Sequence, residues 1–284
     1  MKILVTGAEG QLSKDLIPIL EGTHEVFGLG RNELDVTNLS QVQHICREIK
    51  PEVIIHCAAY TAVDMAESDE TKAYLVNTLG SRNMAIAAEE HHAKICLIST
   101  DYVFDGTSKV PYKEYDQPNP VNVYGKTKYA GEHSIQSLSR KYFIVRTSWL
   151  YGMHGGNFVK TMIGLAKENR QLKVVSDQCG SPTYTVDLAQ FLADLIVTDQ
   201  YGIYHATNSG DCSWFDFAKA IFEEMGLNVQ VNSSATEEFP RPARRPQYSV
   251  LDNLAIRANG FKVIRHWREG LKAFVEQYKE QYHE

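Results

Sequence analysis

The sequence predicts an α/β protein: a Rossmann-type, doubly wound parallel sheet with a smaller C-terminal substrate-binding region. Three observations carry that prediction. An apolar run, Lys2-Ile3-Leu4-Val5-Thr6, leads straight into Gly7-Ala8-Glu9-Gly10-Gln11-Leu12. Apolar runs of strand length then alternate with stretches of helix length, the pattern of βα units feeding a parallel sheet covered on both faces. Finally, Tyr124 and Lys128, four residues apart, follow a run that ends in Ser99-Thr100-Asp101.

Residues 2–6 read as a buried first strand. Gly7 and Gly10 allow a tight turn and let the backbone approach a pyrophosphate at the N-terminus of a helix over 10–21, whose apolar face is Leu12, Leu16, Ile19 and Leu20. Ser13 stands where a third glycine is often found, and is small enough for close helix packing. The second strand, 25–29, ends at Leu29-Gly30-Arg31-Asn32, where NAD-preferring enzymes place a carboxylate for the ribose 2′-hydroxyl. A guanidinium there welcomes a 2′-phosphate, so NADP(H) is the preferred cofactor; the plainer alternative for Arg31 is a solvated loop charge. Strands follow at 53–57, 94–99 and 142–147, with helices at 40–49, 71–90 and 124–140. Right-handed crossovers then place ligands at the carboxyl ends of the strands, where Gly7, Ala58, Thr100 and Ser148 fall. Past residue 150 the pattern loosens into short strands (172–175, 203–205, 228–231), helices (158–168, 186–197, 214–225) and a Pro/Arg-rich loop at 239–246. The expected division is a dinucleotide-binding domain over 1–150 and a mainly substrate-binding region over 151–284, with some elements returning to the first.

Tyr124 and Lys128 lie one turn apart on one helix face. An ammonium near a phenol favours the phenolate, so the expectation is a lowered tyrosine pKa and a group able to give or take a proton at a carbonyl or alcohol oxygen. Lys+Arg number 29 against 35 Asp+Glu, a net charge of −6 that is the wrong sign for a dedicated nucleic-acid binder. No apolar run is long enough to cross a membrane and the N-terminus carries no signal-peptide pattern, so a cytoplasmic protein is expected. Cys46, Cys57, Cys96, Cys179 and Cys212 have no metal-ligand spacing and read as reduced structural thiols.

Several strings carry a family resemblance: Ala58-Ala59-Tyr60-Thr61-Ala62-Val63-Asp64, Ser99-Thr100-Asp101-Tyr102-Val103-Phe104-Asp105-Gly106, Arg146-Thr147-Ser148-Trp149-Leu150-Tyr151-Gly152, Asp177-Gln178-Cys179-Gly180-Ser181-Pro182-Thr183 and Arg241-Pro242-Ala243-Arg244-Arg245-Pro246. With the glycine turn and the Tyr/Lys pair, the chain resembles the extended short-chain dehydrogenase/reductases that act on nucleotide sugars, and within them the dTDP-4-dehydrorhamnose reductases. The resemblance implies NADPH-dependent reduction of the C4 keto group of dTDP-4-dehydro-L-rhamnose to dTDP-L-rhamnose, a cell-surface polysaccharide precursor.

It also implies residue roles. Tyr124 is the acid at the sugar oxygen, Lys128 depresses its pKa and holds the nicotinamide ribose, and Thr100 donates to the oxygen as charge develops there. Thr61, Val63, Tyr102 and Trp149 line the sugar and base pocket; core packing is the alternative for Trp149. Asp35 and Val36 flank the adenine, and Ala58, Ala59 and Tyr60 the path of the pyrophosphate and nicotinamide. The family tolerates NAD(H), and leaves Mg²⁺ and a homodimer open. Arg241–Arg245 fits either a sugar-nucleotide diphosphate or a structural loop, and His154-Gly155-Gly156 a hinge or lid. The alternative within the fold is another nucleotide-sugar enzyme, a 4-epimerase, a different reductase or a 4,6-dehydratase, and a dehydratase would carry Thr-Asp-Glu where this chain has Thr100-Asp101-Tyr102. An intact Thr100, Tyr124 and Lys128 argues against a non-catalytic regulatory subunit of the same fold.

Overall fold

Strands that read as continuous apolar runs need cover on both faces, and the computed structural model, which describes residues 1–168 and 170–282, supplies it. Its first half runs β1 (Lys2–Thr6), α1 (Gln11–Glu21), β2 (Glu25–Leu29), α2 (Leu39–Ile49), β3 (Val53–His56), α3 (Val63–Ala66), α4 (Glu70–Tyr74), α5 (Gly80–Glu90), β4 (Lys94–Thr100), α6 (Val123–Leu138) and β5 (Tyr142–Thr147). The second half runs β6 (Leu150–Tyr151), α7 (Phe158–Glu168), β7 (Gln171–Val175), β8 (Cys179–Gly180), β9 (Thr183–Tyr184), α8 (Thr185–Ile196), β10 (Gly202–His205), β11 (Cys212–Ser213), α9 (Trp214–Met225), β12 (Gln230–Ser234), α10 (Leu254–Ala258) and α11 (Trp267–Tyr282).

Six parallel strands form the central sheet in the order β10-β5-β4-β3-β1-β2. Side chains alternate across it. Ile3, Val5, Val53, Ile55 and Phe143 pack on one face against Leu16 of α1 and Leu192 of α8. Leu4, Ile54, Ile95 and Ile144 pack on the other against Val42, Met84 and Ile135 of α2, α5 and α6. The chain leaves β1 for β2 on one side and returns to β3 on the other, so a topological switch point opens between β1 and β3.

Residues 203–205, expected as a short strand of the C-terminal region, lie in β10, which pairs with β5 in register (Tyr204↔Val145) and extends the central sheet. α8 likewise returns to cover α1. The rest of the C-terminal half builds a separate core from Val159, Ile163, Phe217, Ile221, Leu271 and Phe274. Its expected strand at 228–231 is shifted to Gln230–Ser234, paired with β7. The helix expected over 71–90 is interrupted by a π-helical turn at Leu75–Leu79, a local irregularity that helical periodicity does not reveal. Among the described residues, no helix is long and apolar enough to cross a membrane.

Candidate active site

The glycine turn follows β1 at the switch point, and its geometry explains its residue types. Gly7 has φ +68°, and a Cβ there would stand 2.8 Å from the backbone nitrogen of Ala58, the second residue after β3. Only glycine permits both the left-handed backbone and that approach. Gly10 N–H closes the turn onto the Gly7 carbonyl at 2.9 Å and α1 begins at Gln11, so its first N–H groups face the strand ends.

A cavity of about 760 Å³ opens there. Gly7, Gly10, Gln11 and Leu12 form one flank, with Arg31, Asp35 and Val36 beyond the end of β2. Ala58, Ala59, Tyr60 and Thr61 form the opposite wall, and Thr100, Tyr124, Lys128 and Trp149 the far end. All but two of the residues expected at the site therefore line one space. The two are Val63 and Tyr102, which stand outside the lining: Val63 is on α3, and Tyr102 lies edge-on to Tyr124 with ring centroids 5.9 Å apart. Arg245 closes that side by gripping Asp64 through two hydrogen bonds of 3.0 Å. Of the two readings for the basic loop, Arg245 follows the structural one. Glu33, the first carboxylate in the chain after β2, folds back to accept the Gly30 N–H at 2.8 Å, and the Glu9 side chain packs against Gly30 within the cavity lining.

Thr100 ends β4 and Tyr124 lies in the first turn of α6, whose N-cap Asn122 accepts the Gly125 N–H at 2.7 Å. A Cβ on Gly125 would fall 2.1 Å from the Tyr102 carbonyl oxygen; its absence lets α6 close onto the turn after β4 and bring Tyr124 to Thr100. Thr100 Oγ1 donates to Asp101 Oδ1 at 3.0 Å and accepts the Tyr102 N–H at 3.2 Å.

The expected lowering of the Tyr124 pKa does not occur. Burial pushes the phenol up to about 12, the negative Asp101 adds to this, and only the Thr100 hydroxyl pulls back. The physical reason is where the lysine points. Lys128 Nζ donates to the Ile98 carbonyl at 2.6 Å, and burial drives its own pKa down to about 8 against the pull of Glu132. Tyr124 is thus a neutral phenol with its proton in place across the physiological range, the form a general acid needs.

Two features escaped the sequence reading. Asn77, in the π-helical turn and 1% exposed, accepts the Tyr60 N–H at 2.8 Å and donates to the Tyr60 carbonyl at 3.1 Å and to Thr127 Oγ1 at 2.9 Å. It ties the wall after β3 to the helix carrying Tyr124 and Lys128; the signal was a polar residue on a buried helical face. The second concerns Gln11, whose amide donates to the Leu150 carbonyl at 3.2 Å and accepts from Asn157 at 2.8 Å. The segment around His154-Gly155-Gly156 is therefore pinned to the glycine turn, with Gly156 in the cavity wall.

Trp149 stands where a substrate-lining role and a packing role are both open to it. It lines the cavity, and its ring stacks on Trp214 at 3.5 Å with 8° between planes while Gly180 leaves room behind it. Its φ of 45° is unusual for a bulky residue and turns the chain sharply out of β5.

Known proteins share this architecture. The RmlD substrate binding domain model matches residues 1–280. The spore coat polysaccharide biosynthesis protein SpsK of Bacillus subtilis is 43% identical over 277 residues, 97% of this chain and 97% of that one. The dTDP-4-dehydrorhamnose reductase of Aggregatibacter actinomycetemcomitans is 45% identical over 285 residues, covering 95% of this chain and 97% of its own. A crystal structure of dTDP-4-dehydrorhamnose reductase from Bacillus anthracis in complex with NADP superposes with a TM-score of 0.96 at 49% identity, over 97% of this chain and 99% of the other. Matched along nearly its whole length, this chain belongs to the RmlD substrate binding domain family.

Proposed function

We propose that the protein reduces the C4 keto group of dTDP-4-dehydro-L-rhamnose to the alcohol of dTDP-L-rhamnose, using NADPH. The observation that carries the reading is one cavity with a phosphate-binding turn and Arg31 at one end and the Thr100, Tyr124, Lys128 set at the other. The residues present fit a dinucleotide: Gly7 and Gly10 leave the backbone bare for a pyrophosphate to approach, and Arg31 lining the cavity beyond β2 supports its pairing with a 2′-phosphate. When bound along this wall, the reduced nicotinamide supplies a hydride. Tyr124 holds the proton that the sugar oxygen needs and Thr100 lies beside it to bond that oxygen, while Lys128, one turn along α6 and hydrogen-bonded to the Ile98 carbonyl, stands in the same cavity wall for the nicotinamide ribose. The deciding assay is NADPH oxidation with dTDP-4-dehydro-L-rhamnose against a UDP-linked keto-sugar. Turnover of the UDP compound alone would refute the assignment.

Cofactor preference is tested at Arg31. Arg31→Ala is expected to weaken NADPH binding by roughly 10- to 100-fold, the range for a lost hydrogen bond to a charged group, while changing NADH binding little. Equal losses for the two would place Arg31 outside 2′-phosphate recognition.

Trp149→Ala is expected to raise KM for the keto-sugar more than it lowers kcat, because a deoxysugar offers few hydroxyls and is recognised largely by apolar surface. The Trp214 stack adds a stability cost of about 0.5–1.5 kcal/mol, so melting falls by a few degrees as well. Melting that falls with KM unchanged would confine Trp149 to packing.

A further inference from the structure

Asp101 is a buried acid that the reduction described above does not use. It begins the 3₁₀ turn after β4 and is 2% exposed. Oδ1 accepts the Thr100 hydroxyl; Oδ2 closes no hydrogen bond of full geometry, with the Ser249 hydroxyl facing the carboxyl group. The groups facing it are Thr100 from β4, Tyr102 from its own turn, Tyr124 from α6 and Ser249 from the segment before α10; Arg245 and Asp64 act on the far side of Tyr102. Burial pushes the carboxyl up to about 6, against the pull of the Ser249 and Thr100 hydroxyls.

We propose that Asp101 is a positioning residue for the carbonyl reduction: its carboxyl group decides whether the Thr100 hydroxyl can donate into the cavity. The inference rests on the keto-reductase reading of the site. A threonine hydroxyl has one hydrogen and two lone pairs. One lone pair of Thr100 takes the Tyr102 N–H. An ionised Asp101 only accepts, so the Thr100 hydrogen points back at Oδ1 and a lone pair faces Tyr124. Thr100 then offers nothing to an oxygen gaining negative charge. A protonated Asp101 donates to Thr100 instead, which fills both lone pairs and turns the Thr100 hydrogen toward Tyr124 and the cavity. The neutral acid is the productive form, and negative charge growing on a neighbouring oxygen favours it further.

The sign follows: activity falls as pH rises through the Asp101 midpoint. In wild type, kcat for the keto-sugar should fall about tenfold per pH unit above that midpoint, and again as Lys128 loses its proton. In Asp101→Asn, whose amide donates to Thr100 at every pH, the first fall should vanish and the second remain. A readout independent of turnover is the ¹³C-carboxyl NMR titration of Asp101. In Thr100→Val the Asp101 midpoint should move up, because the hydroxyl that favours the ionised form is gone. A first fall that persists in Asp101→Asn, or an Asp101 titration untouched by Thr100→Val, overturns the proposal. Absence of keto-sugar turnover in wild type would refute the reductase reading and leave the NMR experiment to judge the Asp101–Thr100 coupling.

Discussion

Tyr124→Phe is expected to lower kcat by roughly 10²–10⁴, the loss typical when a general acid is removed, with NADPH affinity nearly unchanged. Burial holds the phenol pKa at about 12, so near neutral pH the proton stays on Tyr124 until an oxygen of rising basicity draws it off. Phenylalanine keeps the ring that packs edge-on against Tyr102 and removes only that proton. A stability effect is therefore small, and the change should appear in single-turnover rates. The same burial makes a second point: oxidation of the product alcohol, which needs the phenolate, should be favoured only at high pH. A variant with wild-type turnover would remove Tyr124 from the chemistry.

The parts of this site that were legible in the sequence are those built from local order. Lys2–Thr6 followed by Gly7 and Gly10 fixes a strand, a turn and a helix start within a dozen positions. Tyr124 and Lys128 share a helix face by spacing alone. Placement of Trp149 and Ser148 after β5 follows from the same alternation. What was not legible depends on distant partners or on the surrounding dielectric. Asp64 and Arg245 meet from opposite parts of the chain, and although some C-terminal elements were expected to return to the first domain, that β10 is the one to pair with β5 is set by contacts across the intervening region. The π-helical turn that aims Asn77 at Tyr60 leaves the apolar pattern of 71–90 intact. The Tyr124 pKa went the opposite way from the spacing argument because proximity in sequence says nothing of burial, nor of the Ile98 carbonyl that takes the Lys128 hydrogen bond.

The residue whose loss should cost most stability lies one turn beyond Lys128. Glu132 and Arg146 are 0% and 1% exposed. They are joined by Nε–Oε1 and NH2–Oε2 bonds of 3.0 and 2.7 Å, with Ser99 donating to Oε1 at 2.5 Å. His205 continues the chain, its Nε2 3.4 Å from Arg146 NH1 and its Nδ1 3.0 Å from the Tyr112 carbonyl. Burial, with Arg146 beside it, holds His205 down to about 3, so the ring is neutral; an Nδ1–H tautomer donates to Tyr112 and accepts from the guanidinium. Glu132→Ala strands a buried guanidinium, which costs about 3–5 kcal/mol and, for a chain of this size, about 10 °C of melting temperature. Combining Glu132→Leu with Arg146→Met removes both charges, and the pair should recover most of that loss. The single variant also strips Lys128 of the carboxylate that supports its ammonium, so the alkaline fall in kcat should move to lower pH. Thermal unfolding of the single and double variants is the measurement. A single variant within about 1 kcal/mol of wild type, where surface ion pairs fall, would show that the guanidinium finds water and that the pair does not anchor α6 to the sheet.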